Sequence, residues 1–227
     1  MIVPPFAAEC LAHARDAWTA AHEHPFVKEL AAGTLSTERF RFYQMQDARY
    51  LEAFADGCAV VSSRVVRPDD KIWWLDAAKM ALVVEKGLHE GYGRTLGYTL
   101  DDIAALELTP NNRAYGDHMV INAHRGSLVE AIAALVPCPW LYVDLGTHLL
   151  ADFGGAFPAD HPYKAWLDMY ADPGFDEYMT RILAYLEQAA AAAGPAERER
   201  AKDAFLASVR YEWMFWEQAW TFQRWPV

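Results

Sequence analysis

Three polar side chains that could carry out chemistry, Asp47, Cys138 and Glu212, each lie among aromatic residues in widely separated parts of the chain. The surrounding segments are YQMQDARY (43–50), PCPWLY (137–142) and YEWMFW (211–216). Polar groups placed among aromatic side chains suggest a buried pocket with aromatic walls. A flat, electron-poor ring bound between such walls would meet one thiol and two carboxylates.

Asp47 falls in the middle of an apolar stripe on a helix that the spacing predicts over 36–63. It lies one helical turn from both Tyr43 and Tyr50. A carboxylate on a core-facing stripe is costly unless it is paired or hydrogen-bonded. Two interpretations therefore stay open: a structural aspartate bonded to tyrosine hydroxyls or a buried arginine, and a functional carboxylate.

Glu212 repeats this pattern on a helix predicted over 196–222. The apolar face that contains it consists of Phe205, Ser208, Val209, Phe215, Trp216 and Ala219. Burial there should raise the pKa of the carboxyl group and favour a neutral or proton-shuttling role. A glutamate tied to a tyrosine or to the backbone is the structural alternative.

Cys138 is followed by Pro139, a residue suited to the first position of a helix. Free N–H groups and the helix dipole at such an N-terminus would stabilise a thiolate, which favours a nucleophile. The alternative is a buried cysteine that acts as a small hydrophobic residue. Cys10 and Cys58 lack this context and are predicted to be packing residues.

Helices must position these groups, because nearly every long segment has helical periodicity. The predicted helices cover about 5–22, 36–63, 69–95, 110–126, 127–136, 139–153, 161–171, 174–193 and 196–222. A short turn near 99–106 is expected after Thr99, which pairs with Asp102 as a cap. Since no linker separates these segments, the chain is predicted to be one all-α domain, a single helical bundle over residues 1–227.

The composition narrows the function. With 53% hydrophobic and 14% aromatic residues, the chain can build a large core. The net charge of −11 argues against nucleic acid and anionic membranes as partners. No stretch is expected to approach the roughly 20 apolar residues of a membrane span. Three widely spaced cysteines and no signal-peptide pattern predict reduced thiols in the cytoplasm.

A metal site is the competing interpretation. Glu85 and His89 lie four residues apart, and Glu130 and Glu212 could join them from other helices. Di-iron bundles use a Glu-x-x-His pair from each of two helices, whereas this chain has one Glu-x-x-x-His pair and no suitable partner for His148. No metal and no cofactor are therefore predicted.

An ordered set of segments resembles the TenA family, also called thiaminase II or aminopyrimidine aminohydrolase. The resemblance covers essentially the whole chain. It is carried by Trp18, His24–Val27, Gly33–Leu35, Gln46–Leu51, Glu85, His89, Ala114–Tyr115, Leu135–Trp140, Tyr142, His161–Tyr163, Trp166, Tyr170, Tyr211–Glu212 and Phe215–Trp216.

The resemblance implies a haem-oxygenase-like bundle that binds no haem and assembles as a homotetramer. It also implies that Cys138 is the nucleophile, which places the chain in the cysteine-containing branch. The other pocket residues it implies are Asp47, Tyr50, Tyr115, Tyr142, Tyr170 and Glu212.

The implied reaction is hydrolysis of 4-amino-2-methylpyrimidines that carry a CH2–X group at C5, in thiamin salvage. Asp47 would engage a ring nitrogen, Cys138 would add to the adjacent ring carbon, and Glu212 would move protons. Tyr115 and Tyr142 are expected to stack on the ring, with Tyr50 and Tyr170 orienting the reactive groups. The leaving group X stays open between an amine, a formylated amine and thiazolium. The alternatives are a metal-dependent oxidase and a non-catalytic pyrimidine-binding protein.

Overall fold

The computed structural model describes the backbone of residues 2–227 and the side chains of residues 2–83 and 91–227. All regular elements of this part of the chain are helices, which confirms the all-α prediction. They are α1 (Pro5–His13), α2 (Arg15–His22), α3 (Pro25–Ala31), α4 (Thr37–Arg64), α5 (Pro68–Leu96), α6 (Leu100–Ala104), α7 (Pro110–Arg125), α8 (Leu128–Leu135), α9 (Pro137–Asp152), α10 (Lys164–Tyr170), α11 (Gly174–Ala192) and α12 (Pro195–Thr221).

The N-terminal region differs from the prediction in two places. The helix predicted over 5–22 is interrupted at Ala14, whose φ of −98° and ψ of 6° end α1. The seven-residue α3 was not predicted, because so short a segment shows too little periodicity. His24 begins it: its Nδ1 accepts a hydrogen bond from the Phe26 N–H at 3.1 Å, and proline follows at the first helical position.

The apolar faces of α4 and α12 meet in the centre of the bundle, where they pack against each other and against α8. The predicted stripe residues on these two helices are buried, apart from the half-buried Leu51: Phe40, Tyr43, Tyr50, Phe54, Cys58 and Val61 on α4, and Phe205, Ser208, Val209, Phe215, Trp216 and Ala219 on α12. One continuous hydrophobic cluster extends from Phe6 in α1 to Ala219 in α12. The two predicted carboxylates therefore lie on facing helices.

The segment Leu128–Asp152, which forms α8 and α9, has a mean hydropathy of 1.5 over its most apolar window and is long enough to cross a membrane by length and composition alone. The expectation that no apolar stretch of the sequence is long enough to span a membrane is therefore wrong. In the bundle, 78% of that window is buried against other helices. Helices this apolar occur in protein cores as well as in membranes, so the burial explains the composition.

A close contact between α9 and α10 fixes the position of one aromatic side chain. A Cβ atom added at Gly146 would lie 2.5 Å from the backbone C and O atoms of Tyr170. Only glycine allows the end of α10 to approach α9 so closely. This contact places the Tyr170 side chain beside Tyr142 of α9, with 4.8 Å between the ring centroids.

Candidate functional site

A cavity of about 420 Å³ lies between α4, α5, α9, α10 and α11. Four of the predicted site residues line it: Asp47, Cys138, Tyr142 and Tyr170. The remaining lining residues are Leu51, Phe54, Ala77, Met80, Ala81, Pro139, Met169, Asp172, Gly174, Phe175 and Tyr178. The other three predicted residues, Tyr50, Tyr115 and Glu212, are buried close to Cys138. The cavity has the size and the mostly apolar lining of a small-molecule site.

Asp47 is 6% exposed and lies on α4 at the wall of this cavity. Its charge acts on three buried tyrosines, Tyr43, Tyr142 and Tyr170. Burial raises the pKa of Tyr170 well above its usual value, and the Asp47 carboxylate is the largest of the charges that raise it further. Burial likewise raises the pKa of Tyr142, and Asp47 contributes. The carboxylate therefore faces both the cavity and the ring of tyrosines, where it can contact a bound molecule.

Cys138 is the second residue of α9, so it lies in the first turn of a helix as predicted, although the helix begins two residues earlier than expected, at Pro137. The prediction of thiolate character is wrong. Burial raises the pKa of the thiol well above its usual value and nearby Glu212 raises it further, whereas the neighbouring Tyr50 hydroxyl opposes this rise.

The reason lies in the backbone before the cysteine. Val136 has helical φ and ψ values of −59° and −37°, so α8 runs almost directly into α9. The N–H groups of Val136 and Trp140 are bonded to carbonyls one turn earlier, and residues 137 and 139 are prolines without N–H groups. Few free donors remain to stabilise an anion. In the free protein Cys138 is therefore a thiol.

Two tyrosine hydroxyls lie between Cys138 and Glu212. The Tyr50 hydroxyl lies close to both the Cys138 sulfur and the Tyr115 hydroxyl, with 4.8 Å between the Tyr50 and Tyr115 ring centroids, and its O–H donates to Met119 Sδ at 3.3 Å. Tyr115 Oη in turn donates to Glu212 Oε1 at 2.6 Å. Such a chain can carry a proton between a thiol and a carboxylate that do not touch.

Glu212 is 2% exposed. Burial raises its pKa to about 8 and the Asp47 charge adds to the shift, while the hydrogen bond from Tyr115 opposes it. The predicted direction of this shift is confirmed. Because its pKa lies near neutral pH, this carboxyl group can both take up and release a proton during a reaction.

The positions of Tyr115 and Tyr170 differ from those expected from the sequence. Tyr115 does not line the cavity: it is fully buried and stacks on Tyr211, with 5.2 Å between the ring centroids and 14° between the planes. Tyr142 and Tyr170 form the aromatic wall instead, and Tyr43 Oη donates to Tyr142 Oη at 3.2 Å. Tyr115 therefore belongs to the hydroxyl chain and Tyr170 to the wall.

Much of the remaining wall was not predicted. Phe54 and Leu51 belong to the apolar stripe of α4, but Met169 of α10 and Phe175 and Tyr178 of α11 were not among the predicted site residues. Met80 of α5, which also lines the cavity, was not predicted either. Only the packing of α5, α10 and α11 around α4 turns these side chains toward the cavity, and no local pattern encodes it.

The residues of the competing metal site are only partly described. The side chains of Glu85 and His89 lie outside the described residues. Glu130 accepts a hydrogen bond from the Ser127 N–H at 2.9 Å and forms an ion pair with Arg200. Glu130 therefore caps α8 and binds α12, which accounts for its burial without a metal ion.

Cys10 and Cys58 are completely buried in the hydrophobic core. Burial raises the pKa of Cys10 to about 12 and also raises that of Cys58. The prediction that both are packing residues is confirmed. This leaves Cys138 as the one cysteine of the chain that lines the cavity.

Comparison with known proteins gives a consistent result. A family model described as the TENA/THI-4/PQQC family matches residues 11–221. The aminopyrimidine aminohydrolase of Halalkalibacterium halodurans is 31% identical over 221 residues, 97% of each chain. That of Bacillus subtilis is 28% identical over 221 residues, which cover 97% of this chain and 92% of the relative. A solved TenA homologue from P. horikoshii OT3 has a TM-score of 0.85 and 28% identity, covering 97% of this chain and 99% of its own.

Proposed function

Because the chain belongs to the TENA/THI-4/PQQC family, we propose that it is a hydrolase of thiamin metabolism that acts on aminopyrimidines. It cleaves the bond between the C5 methylene and the leaving group of a 4-amino-2-methylpyrimidine and releases hydroxymethylpyrimidine. The observation that carries this proposal is the cavity that brings the Cys138 thiol and the Asp47 carboxylate together, with Glu212 connected behind them.

The substrate ring lies against Tyr142 and Tyr170, where flat aromatic faces offer stacking contacts. Asp47 hydrogen-bonds a ring nitrogen and shares a proton with it, which makes the ring a better electrophile. A carboxylate in a mostly apolar cavity suits this role, because its interaction with a protonated ring is stronger there than in water.

Covalent catalysis begins with the thiol proton. The Tyr50 hydroxyl turns from Met119 Sδ toward Tyr115, the Cys138 proton passes through the hydroxyls of Tyr50 and Tyr115 to the Glu212 carboxylate, and the sulfur forms a bond to the adjacent ring carbon. The reactive state of the pair therefore holds one proton, shared between the two groups. This state accounts for a nucleophilic cysteine whose pKa is raised in the free protein.

The same proton then serves the leaving group. Glu212 gives it to X as the bond from the methylene to X breaks. Water adds its hydroxide to the methylene and its proton to Glu212. Finally the sulfur–carbon bond breaks, the sulfur regains a proton from Glu212, and the hydroxymethylpyrimidine leaves. One carboxyl group thus acts alternately as base and acid.

Replacement of Asp47 by asparagine should impair binding and turnover together, because an amide cannot share a proton with the ring. We expect kcat/KM to fall at least about 100-fold in Asp47→Asn. Steady-state kinetics and a binding titration with hydroxymethylpyrimidine measure the two effects. Asp56→Asn, on the exposed side of the same helix, is the matched control and should behave as wild type. Unchanged kinetics in Asp47→Asn would make Asp47 a structural core carboxylate.

An exposed carboxylate at the cavity, Asp172, could select between charged and neutral leaving groups. Asp172 lines the cavity and is exposed, and its Oδ1 accepts the Gly174 N–H at 2.6 Å. A cationic amine or thiazolium should be attracted to this carboxylate, whereas a neutral formylated amine should not. We expect Asp172→Asn to raise KM for cationic substrates by about fivefold, the size of an exposed charge pair. KM for a formylated amine and the kinetics of Asp176→Asn should stay unchanged; equal effects on both substrates would exclude charge selection.

The wider biological setting also belongs to the proposal. Residues 1–227 act as one domain, which assembles as a homotetramer in the cytoplasm and takes part in thiamin salvage. Partly exposed aromatic side chains near the C-terminus, Phe222 and Trp225, are available for subunit contacts. Trp220 packs within its own chain instead, under the Arg39 guanidinium at 3.7 Å.

Incubation of the purified protein with 4-amino-5-aminomethyl-2-methylpyrimidine and with thiamin tests the proposed activity. Release of hydroxymethylpyrimidine from either substrate would establish the reaction, and the ratio of the two rates would identify the preferred leaving group. A tight pyrimidine complex without product would instead favour a non-catalytic binding protein. A requirement for stoichiometric iron or manganese in turnover would favour the metal-dependent oxidase.

A further inference from the structure

A cluster of two histidines and one aspartate lies on the bundle apart from the cavity. His22 is the last residue of α2, while Asp144 and His148 lie one turn apart on α9. One ligand atom from each of the three lies within 4.8 Å of the other two. The sequence alone does not reveal this cluster, because His22 is far from Asp144 and His148 along the chain. An aspartate four residues before a histidine, as Asp144 is before His148, is also common on helices.

The spacing of these atoms is close to that around a small metal ion. His22 Nε2 lies 3.2 Å from Asp144 Oδ2. Two ligand atoms of a tetrahedral zinc ion, each at about 2.0–2.1 Å from the metal, are separated by roughly 3.3 Å. The His22 and His148 rings stand edge to face, with centroids 5.7 Å apart, beside the carboxylate. The three side chains therefore converge on one point.

Ordinary hydrogen bonding leaves one atom of this cluster unexplained. His22 Nε2 is buried and lies 3.2 Å from Asp144 Oδ2, an ion-pair distance, but the two groups are not aligned for a hydrogen bond. Another histidine–aspartate pair of the protein, His13 and Asp203, is aligned for a hydrogen bond at 3.0 Å. A buried nitrogen without a well-aligned hydrogen bond is costly, and a metal ion between the two groups would satisfy it.

Neighbouring groups hold the side chains of Asp144 and His148 in position. Trp18 Nε1 donates to Asp144 Oδ2 at 2.9 Å. His148 Nδ1 lies 2.7 Å from the Asp144 main-chain oxygen and 3.4 Å from Asp144 Oδ1, so the ring is held against the carboxylate. Such outer contacts commonly orient the ligands of metal sites.

We propose that His22, Asp144 and His148 form a binding site for a divalent transition-metal ion, for which Zn²⁺ is the best match. Two imidazoles and a carboxylate are ligands that zinc accepts readily. The His148 side chain is 66% exposed, so the ion can enter from solvent and a water molecule can complete the coordination. The ion would tie the end of α2 to α9, the helix that begins at Pro137 and carries Cys138.

Titration of the metal-free protein with Zn²⁺, followed by calorimetry, tests this proposal. We expect one equivalent to bind to wild type and His148→Ala to weaken that binding at least about tenfold, since even outer contacts of metal sites are worth that much. His148 is exposed, so the variant should fold normally. His13→Ala removes an unrelated histidine of a histidine–aspartate pair and should bind Zn²⁺ as wild type. Absence of stoichiometric binding, or equal affinity in His148→Ala, would overturn the proposal.

Co²⁺ distinguishes this site from binding at the active-site thiol. At the proposed site Co²⁺ should give visible d–d absorption without a thiolate-to-metal charge-transfer band, and Cys138→Ser should leave the spectrum unchanged. Zn²⁺ should also raise Tm in wild type and in Cys138→Ser, but not in His148→Ala. A charge-transfer band that disappears in Cys138→Ser would assign the metal to the thiol and contradict the proposed site.

Discussion

Cys138→Ala should lose almost all turnover while it still binds the pyrimidine. Removal of a covalent nucleophile leaves only the contribution of binding and positioning, so kcat/KM should fall by at least about 1,000-fold. The Kd of hydroxymethylpyrimidine should change little, because Asp47, Tyr142 and Tyr170, the residues proposed to hold the ring, still line the cavity. Steady-state kinetics and calorimetric titration measure the two quantities separately.

Cys10→Ala provides the control for the loss of a cysteine as such. Cys10 is also buried, but it lies in α1 and does not line the cavity. The control should keep the kcat/KM of wild type even if it is somewhat less stable, since removal of a small buried group leaves a cavity in the core. Turnover by Cys138→Ala within a few fold of wild type would rule out covalent catalysis by this cysteine.

Glu212→Gln should change both the rate and its pH dependence. In wild type, kcat/KM should rise with pH through about 8, because the Cys138–Glu212 pair must lose one proton before the sulfur can add to the ring. Glutamine cannot accept that proton. The thiol must then ionise alone, at a pKa held well above its usual value by burial, so the rising limb should move to higher pH. At pH 8 we expect a loss of about 100- to 10,000-fold.

The stability of Glu212→Gln separates this effect from unfolding. The folded protein holds the pKa of Glu212 at about 8, above its usual value of 4.5. The stability this gives is fully present below pH 4.5 and is lost as pH rises toward 8. Glutamine does not ionise and its oxygen can still accept from Tyr115, so the variant should be at least as stable as wild type at pH 8. An unchanged pH profile in a folded variant would remove Glu212 from the proton path.

The long helices could be predicted because their apolar periodicity continues over many turns, as in α4 and α12. The break at Ala14 and the short helix Pro25–Ala31 could not, since each depends on a few local bonds rather than on a repeat. The start of α9 also differed. Proline is permitted in the first turn of a helix, so the sequence allows α9 to begin at either Pro137 or Pro139. The helix begins at Pro137 because Val136 before it already has a helical conformation.

Asp47 and Glu212 could be recognised because a carboxylate is conspicuous on an apolar stripe. The hydroxyl chain through Tyr50 and Tyr115 was not visible, since the sequence does not show which tyrosines face each other across α4 and α7. The raised pKa of Cys138 was missed for a related reason. The number of free N–H groups at the start of a helix depends on the backbone conformation of the residue before it. The sequence does not show that Val136 has helical φ and ψ values.

The most direct test of the central claim is single-turnover release of hydroxymethylpyrimidine, measured by rapid quench with enzyme in excess over a bound aminopyrimidine. Wild type and Cys10→Ala should convert the bound substrate completely, and wild type should show a transient pyrimidine adduct on the peptide that contains Cys138. Cys138→Ala should hold the substrate unchanged over the same period. Complete conversion by Cys138→Ala at the wild-type rate would contradict the account.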